Sequence, residues 1–465
     1  MRALVLYLTI YIFQLALCME ELLFVVVIAR HGARTMEYSK YFDIVDNNTS
    51  VNNPGTLTDV GKHQLYLLGK YLADKYIRQK KFLAYNYNSK EIHVRSSGRN
   101  KTIESAQSIL QGLYQAGTGP FLHYNQSEVA KPPIEVVGIE SIIKELRDGA
   151  LPDTIQVTPI HTTNEVKDYY FSPHTECKSL ENEKDEYDEK GSELDKEYAE
   201  FYKKLYDDYK INATSIIAIY ELYDNIVAAL VNDMKLNKNI TPEDLATLRN
   251  ATIKGIMEVF LHSEKKIKYM GHTILYDIIT HFNSSKDTKI DERLKLTLFL
   301  VSGAHLYALS KVFSLEYNEL VPFASSLIFE LITDNDKHKV RAIYNGKEIR
   351  FDDYELFIER LEKYIFPSEA AFIESCTSDP PFKYDRKRYE TISLILLFIF
   401  LAVLGGSWVL VLYNKKELFN GIALAPSTSK KKSSKIMSEQ DFGGIFSAAF
   451  FDEDKDDIKE TSKTK

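Results

Sequence analysis

Cysteine is scarce in this chain: there are three in 465 residues, Cys18, Cys177 and Cys376. Neither Cys177 nor Cys376 has the neighbours that a zinc site needs. No G-x-x-x-x-G-K-[ST] loop occurs, which disfavours nucleotide hydrolysis by that route. Positive charge is not in excess: the formal net charge is −8, and no basic stripe runs through the body of the chain, so nucleic acid is not an expected partner. No self-similar spacing marks a solenoid. His63, His93, His161 and His174 lack carboxylates at recognised ligand spacing, so neither a metal nor a cofactor is expected.

Apolar runs are what the chain has at its two ends. Arg2 precedes a stretch from Ala3 to Leu17, and Ala16-Leu17-Cys18 fits signal cleavage after Cys18, with an uncleaved anchor as the alternative. Ile392 to Leu412 is uncharged, is about 20 residues long as a bilayer span requires, and has Tyr389 and Tyr413 at its edges. Lysines and arginines flank it on both sides, so the signal sets the orientation. Residues 19–380 are then lumenal or extracellular, 392–412 form one transmembrane helix, and 413–465 form a cytoplasmic tail. Sequons at Asn47, Asn48, Asn100, Asn125, Asn212, Asn239, Asn250 and Asn283 all lie in the body. With Cys18 removed, Cys177 and Cys376 most simply pair in an oxidising compartment.

The body reads as an interrupted α/β protein. FVVVIARHGART, from Phe24, is a central parallel-strand pattern that empties into Arg30, His31 and Arg34. GTLTDVGKHQLYLLG reads as a loop and a helix with Leu65, Leu68, Tyr71 and Leu72 on one face. In KEIHVRSSGRNKT a short strand delivers Arg95, and Ser96 or Ser97 is expected to start a helix. KLTLFLVSGAHLYALSKVF repeats the arrangement around His305. Residues 140–270 look mostly helical, while the charge-dense LENEKDEYDEKGSELDKE reads as solvated surface or loop.

Ligands bind at the carboxyl ends of such strands. Guanidinium forks there match phosphate oxygens. A histidine among them can attack phosphorus and form a phosphohistidine. Taken in order, ARHGART at 29–35, LTDVGKHQLYLLG at 57–69, VRSSGRNKT at 94–102, VSGAHLYALSKVF at 301–313 and VPFASSLIFELI at 321–332 resemble the histidine acid phosphatases. The signal and single span further resemble the membrane-bound lysosomal and prostatic type. The resemblance implies a phosphoglycerate-mutase-like sheet core flanked by helices, with a helical cap inserted at about 140–270. It implies His31 and His305 as catalytic residues and Arg30, Arg34 and Arg95 as phosphate ligands. It also implies a Cys177–Cys376 disulfide, a phosphomonoester substrate, a homodimer as a candidate assembly, and a lysosome-like or cell-surface location.

Two positions depart from the family. Met36 stands where a proline usually follows the Arg-Thr pair. Leu306 stands where the family has the aspartate that protonates the leaving group. Two readings follow: an acid phosphatase with reduced capacity for poor leaving groups, or a weakly active or inactive relative acting as a phosphoester-binding surface protein. Restoring the carboxyl by Leu306→Asp is expected to help alkyl phosphates if the site has room for it.

Overall fold

Ten consecutive residues without a turn former, nine of them buried, make Glu21–Arg30 the strand β1. The computed structural model describes residues 20–46, 53–126, 128–163, 168–287, 294–315, 320–335, 337–377, 394–397 and 399–401. With β2 (Ile92–Ser96), β3 (His161–Thr162), β4 (Leu296–Val301), β5 (Ser326–Asp334), β6 (Lys337–Tyr344) and β7 (Lys347–Asp353), β1 forms one sheet in the order β3-β2-β4-β1-β5-β6-β7.

The sheet is mixed, which corrects the expectation of a parallel neighbourhood for β1. Strand β1 runs parallel to β4, with Ile28 opposite Phe299, but antiparallel to β5, with Ile28 opposite Leu327. Strands β5, β6 and β7 are antiparallel throughout. A strand covered on both faces is as apolar in either setting, so its composition does not reveal its partner's direction.

Alternation along β1 divides the core. Phe24, Val26 and Ile28 face a layer made by the helices Glu264–Asp287 and Gly303–Phe313, through Ile274, Ile278, Leu306 and Leu309. Val25, Val27 and Ala29 face the helices Asp59–Leu72 and Asn100–Leu113, through Leu65, Leu72, Ile109 and Leu110. Of the four residues expected on one face of the first of these helices, Leu65 and Leu72 are buried, whereas Leu68 and Tyr71 are partly exposed. The second begins at Asn100 with Arg99 as its cap, three or four residues later than the serines suggest. Ser96 is still in the strand, and the side chains of Ser97 and Thr102 bond to each other at 2.7 Å.

A third apolar cluster joins the loop after β1 to an inserted helical region. Ala33, Met36, Tyr41 and Ile44 pack with Ile219, Leu222 and Ile226 of the Ile216–Val231 helix and Leu248 of the Pro242–Gly255 helix. Met36 is fully buried there. Within 140–270 the structure is mostly helical, but the Glu264–Asp287 helix belongs to the sheet's own layer. The charge-dense segment is helical over Lys184–Glu197 rather than a loop, with Leu194 buried as its anchor.

Cys177 and Cys376 form a disulfide across a separation of 199 residues, packed with Leu180, Tyr269 and Phe372. Closing so long a loop restricts the unfolded chain. Cys177→Ser or Cys376→Ser is therefore expected to cost about 2–5 kcal/mol, read as a lower denaturation midpoint under non-reducing conditions. An unchanged midpoint would contradict a stabilising bridge.

The chain divides into two compact units, 1–383 and 384–465. In the second, Leu394–Leu397 and Ile399–Leu401 are helical and exposed. Among the described residues no helix is long and apolar enough to cross a membrane. The N-terminal apolar stretch, Asn47, Asn48, most of 392–412 and the tail lie outside the described residues.

Candidate active site

Where β1 runs out, its backbone is still held from both sides. The His31 amide donates to the Val301 carbonyl at 3.3 Å, and the Ala324 amide donates to the His31 carbonyl at 3.0 Å. Gly32 follows because a Cβ there would collide with the Gly61 backbone. The TLTD motif holds the next turn. Thr58 Oγ1 donates to the Ala33 carbonyl at 3.0 Å and also accepts from the Gly61 amide at 3.2 Å, capping its own helix. The Ala33 amide donates to Gln64 Oε1 at 3.0 Å. From the inserted region, Asn225 Oδ1 accepts the amides of Glu37 and Tyr38 at 3.0 and 3.2 Å.

The His31 ring is buried, and its Nδ1 lies 2.9 Å from the Gly32 carbonyl. A carbonyl oxygen only accepts, so Nδ1 must carry the hydrogen, and in the neutral ring the lone pair is left on Nε2. Burial pushes the pKa of His31 well below its ordinary 6.5, and the neighbouring charges of Arg30, Lys101 and Arg34 push it the same way. The imidazole therefore stays neutral, and so nucleophilic, into the acid range.

Three cations surround this ring. Arg30 Nη1 donates to the Val321 carbonyl, and its guanidinium lies 4.3 Å from the centre of the Phe323 ring. The same phenyl ring is 5.7 Å from His31 and 5.9 Å from the Arg34 guanidinium. Arg34 pairs with buried Asp224 and with Glu37 at 2.9 Å. Lys101 Nζ lies 2.9 Å from both Glu37 oxygens. Burial alone would raise the pKa of Glu37, but Arg34 and Lys101 outweigh it and hold that pKa at about 2. Glu37 is thus a permanent counter-charge and not a proton donor.

His305 stands in the first turn of the Gly303–Phe313 helix, whose N-terminal end favours an anion. Its Nδ1 is 3.2 Å from Ser302 Oγ, and Gly303 brings this turn against Arg30: a Cβ on Gly303 would sit 3.2 Å from Arg30 Nε. Leu306 is fully buried among the apolar side chains of the sheet's first layer. The position that the resemblance gives to a proton donor is a packing position here.

Arg30, His31 and Arg34 are thus grouped as the sequence suggests, with His305 on the adjoining turn. Arg95 occupies a neighbouring pocket, where its guanidinium lies 4.6 Å from the Tyr170 ring and 5.5 Å from Phe171. Phe171 is in turn 5.8 Å from the His305 ring. Sequence reasoning missed Lys101 and Asp224. Lys101 sits inside the VRSSGRNKT motif but carries no signal separating it from a surface lysine. Asp224 lies 190 residues from Arg34, and only tertiary structure pairs them.

The chain belongs to the histidine phosphatase superfamily (branch 2), whose family model matches residues 21–345. It is similar to the lysosomal acid phosphatase of Xenopus laevis, 25% identical over 71% of this chain and 70% of that one. It is also similar to the prostatic acid phosphatase of Homo sapiens, 23% identical over 73% of this chain and 81% of that one. Among solved structures, a Hafnia alvei phytase in complex with myo-inositol hexakis sulphate matches with a TM-score of 0.54, covering 75% of this chain and 98% of the other. The phytase of Klebsiella sp. ASR1 matches with a TM-score of 0.52, covering 76% and 99%. At 12% and 13% identity these two matches speak for the fold alone.

Proposed function

We propose that the chain is a phosphomonoesterase working through a phosphohistidine on His31. The observation that carries this reading is the Nδ1 contact of His31 with the Gly32 carbonyl, which leaves the lone pair on Nε2 of a ring that feels the charges of Arg30, Lys101 and Arg34. In the first step Nε2 attacks phosphorus, the Nε2–P bond forms, and the ester P–O bond breaks. In the second, water attacks phosphorus, the Nε2–P bond breaks, and inorganic phosphate leaves. Arg30 and Arg34 bind nonbridging oxygens, with Lys101 and His305 adding positive charge or hydrogen bonds as negative charge builds up.

The depressed pKa of His31 supports an acid phosphatase in particular. Its kcat/KM is expected to hold steady as pH falls through about 6.5, because protonation that would block attack is displaced to lower pH. A fall with a midpoint at the ordinary histidine value would contradict this. Arg34→Ala is expected to weaken phosphate inhibition more than Arg95→Ala, since Arg34 belongs to the His31 cluster. Equal effects would put Arg95 on the same phosphoryl group.

Leu306 favours a second reading, a weakly active or inactive relative acting as a phosphoester-binding surface protein. Turnover of an aryl phosphate by the purified chain separates the two. The apolar segment 392–412 supports single-pass anchoring, with 1–18 as signal and 19–380 lumenal or extracellular. The lysosomal phosphatases among the relatives support a lysosomal or secretory setting.

A further inference from the structure

The pocket that holds Arg95 has its own architecture. It measures about 440 Å³, within the range of small-ligand sites. Strand β3 pairs with β2 only at Arg95–His161 and Ser96–Thr162, and the pocket opens beside the unpaired part of β2. One wall is polar: the His93 and His161 rings stack at 4.6 Å, with Arg95 next along the strand. The other wall comes from the Glu264–Asp287 helix, through Asp277 and His281. Ile92, Pro159 and Leu294 give it an apolar side.

We propose that this pocket is a second ligand site, taking an oxyanion (phosphate, phosphonate or carboxylate) on a compact apolar body, and that Asp277 gates it by competing for Arg95. It stands apart from hydrolysis at His31 and does not depend on that activity. Asp277 Oδ2 lies 3.7 Å from Arg95 Nη1, which is close enough for its carboxylate to neutralise the guanidinium. A planar guanidinium held over an aromatic face is already oriented to present its edge to an oxyanion. A metal fits less well, because stacked imidazoles do not aim their nitrogens at one point. Among the described residues no His, Cys, Asp or Glu group has the arrangement of a metal site.

Acid opens the gate. Burial raises the pKa of Asp277 to about 6; Arg95 opposes the rise and Glu369 adds to it. Burial, His161, Arg95 and His281 together hold His93 down at about 4, and burial also lowers His281. His93 is therefore largely neutral at pH 5 and available as a hydrogen-bonding group. Tyr170, over which Arg95 lies, has its pKa pushed up to about 12 by burial and Glu369, and stays neutral throughout. Between pH 7.5 and pH 5 the main charge to disappear from the pocket is that of Asp277, which leaves Arg95 uncompensated.

Calorimetric titration of the full-length chain with phenylphosphonate, which cannot be hydrolysed, tests the proposal. Two sites are expected at pH 5. At pH 7.5 one of them should be weaker by about 30-fold, the factor by which protonated Asp277 becomes rarer. Arg95→Gln should abolish the pH-sensitive site alone, and Arg34→Gln the other alone. Asp277→Asn should keep the pH-sensitive site strong at pH 7.5, and its thermal melt reports whether the variant is folded. A wild type whose one site at pH 5 depends on Arg34 and not on Arg95, or a pH-sensitive site that survives Arg95→Gln, would overturn the pocket assignment. A folded Asp277→Asn protein that still loses binding at pH 7.5 would overturn the gate. A wild type whose one site at pH 5 depends on Arg95 and not on Arg34 would instead count against the catalytic reading.

Discussion

His31→Ala is expected to lower turnover of an aryl phosphate by about 10⁴-fold or more, because the carboxylates beside the ring cannot take over as nucleophile. Glu37 is held ionised by Arg34 and Lys101, and Asp224 is bound to Arg34, so neither carboxylate is free to attack. The ring is not a major packing element either. It contacts Phe323 at 5.7 Å, but Arg30 stays over that phenyl ring when the imidazole is removed. The variant should therefore fold and still bind phosphate, and steady-state kinetics beside a phosphate-binding titration checks both. Activity within tenfold of the wild type would exclude His31 as the nucleophile.

The second large effect concerns the leaving group. General acid catalysis is commonly worth about 10²–10⁴ in rate, or about 2.7–5.5 kcal/mol of barrier. Without a donor at position 306, an alkyl ester must expel a strongly basic alkoxide, whereas an aryl or acyl phosphate expels a stabilised anion. The wild type is expected to hydrolyse aryl phosphates faster than alkyl phosphates by a factor in that range. Comparable kcat/KM values for the two classes would mean that another acid protonates the leaving oxygen. The structure also changes what Leu306→Asp should do. Leu306 is fully buried in the layer that covers the sheet, so an aspartate there loses apolar packing and gains an unpaired carboxylate in the core. Lower stability without rescue of alkyl activity is expected, in place of the gain that the sequence suggests.

The loop that carries His31 was legible because its signals are local. An apolar run of strand residues followed by charge and a small turn residue marks both the element and its functional end, as at Phe24 to Arg34 and Leu296 to His305. The sheet's antiparallel half was not legible, because the apolar pattern of β1 is the same beside β4 and beside β5. Asp224 and Asn225 were hidden for a different reason. They anchor the loop after His31 from a helix of the inserted region, and no local pattern encodes a contact across about 190 residues. Arg95 lay between these cases. Its strand-end location was readable, but its direction depended on Tyr170, Phe171 and Asp277, none adjacent in sequence.

The central claim is a covalent phosphoryl group on Nε2 of His31, and rapid acid-free quenching of the chain with an isotopically labelled aryl phosphate tests it most directly. The account predicts labelled protein whose phosphate survives base, is released by acid, maps to the peptide containing His31, and is missing from His31→Ala. Steady turnover by the wild type with no labelled protein at any quench time, or label on a different residue, would contradict it.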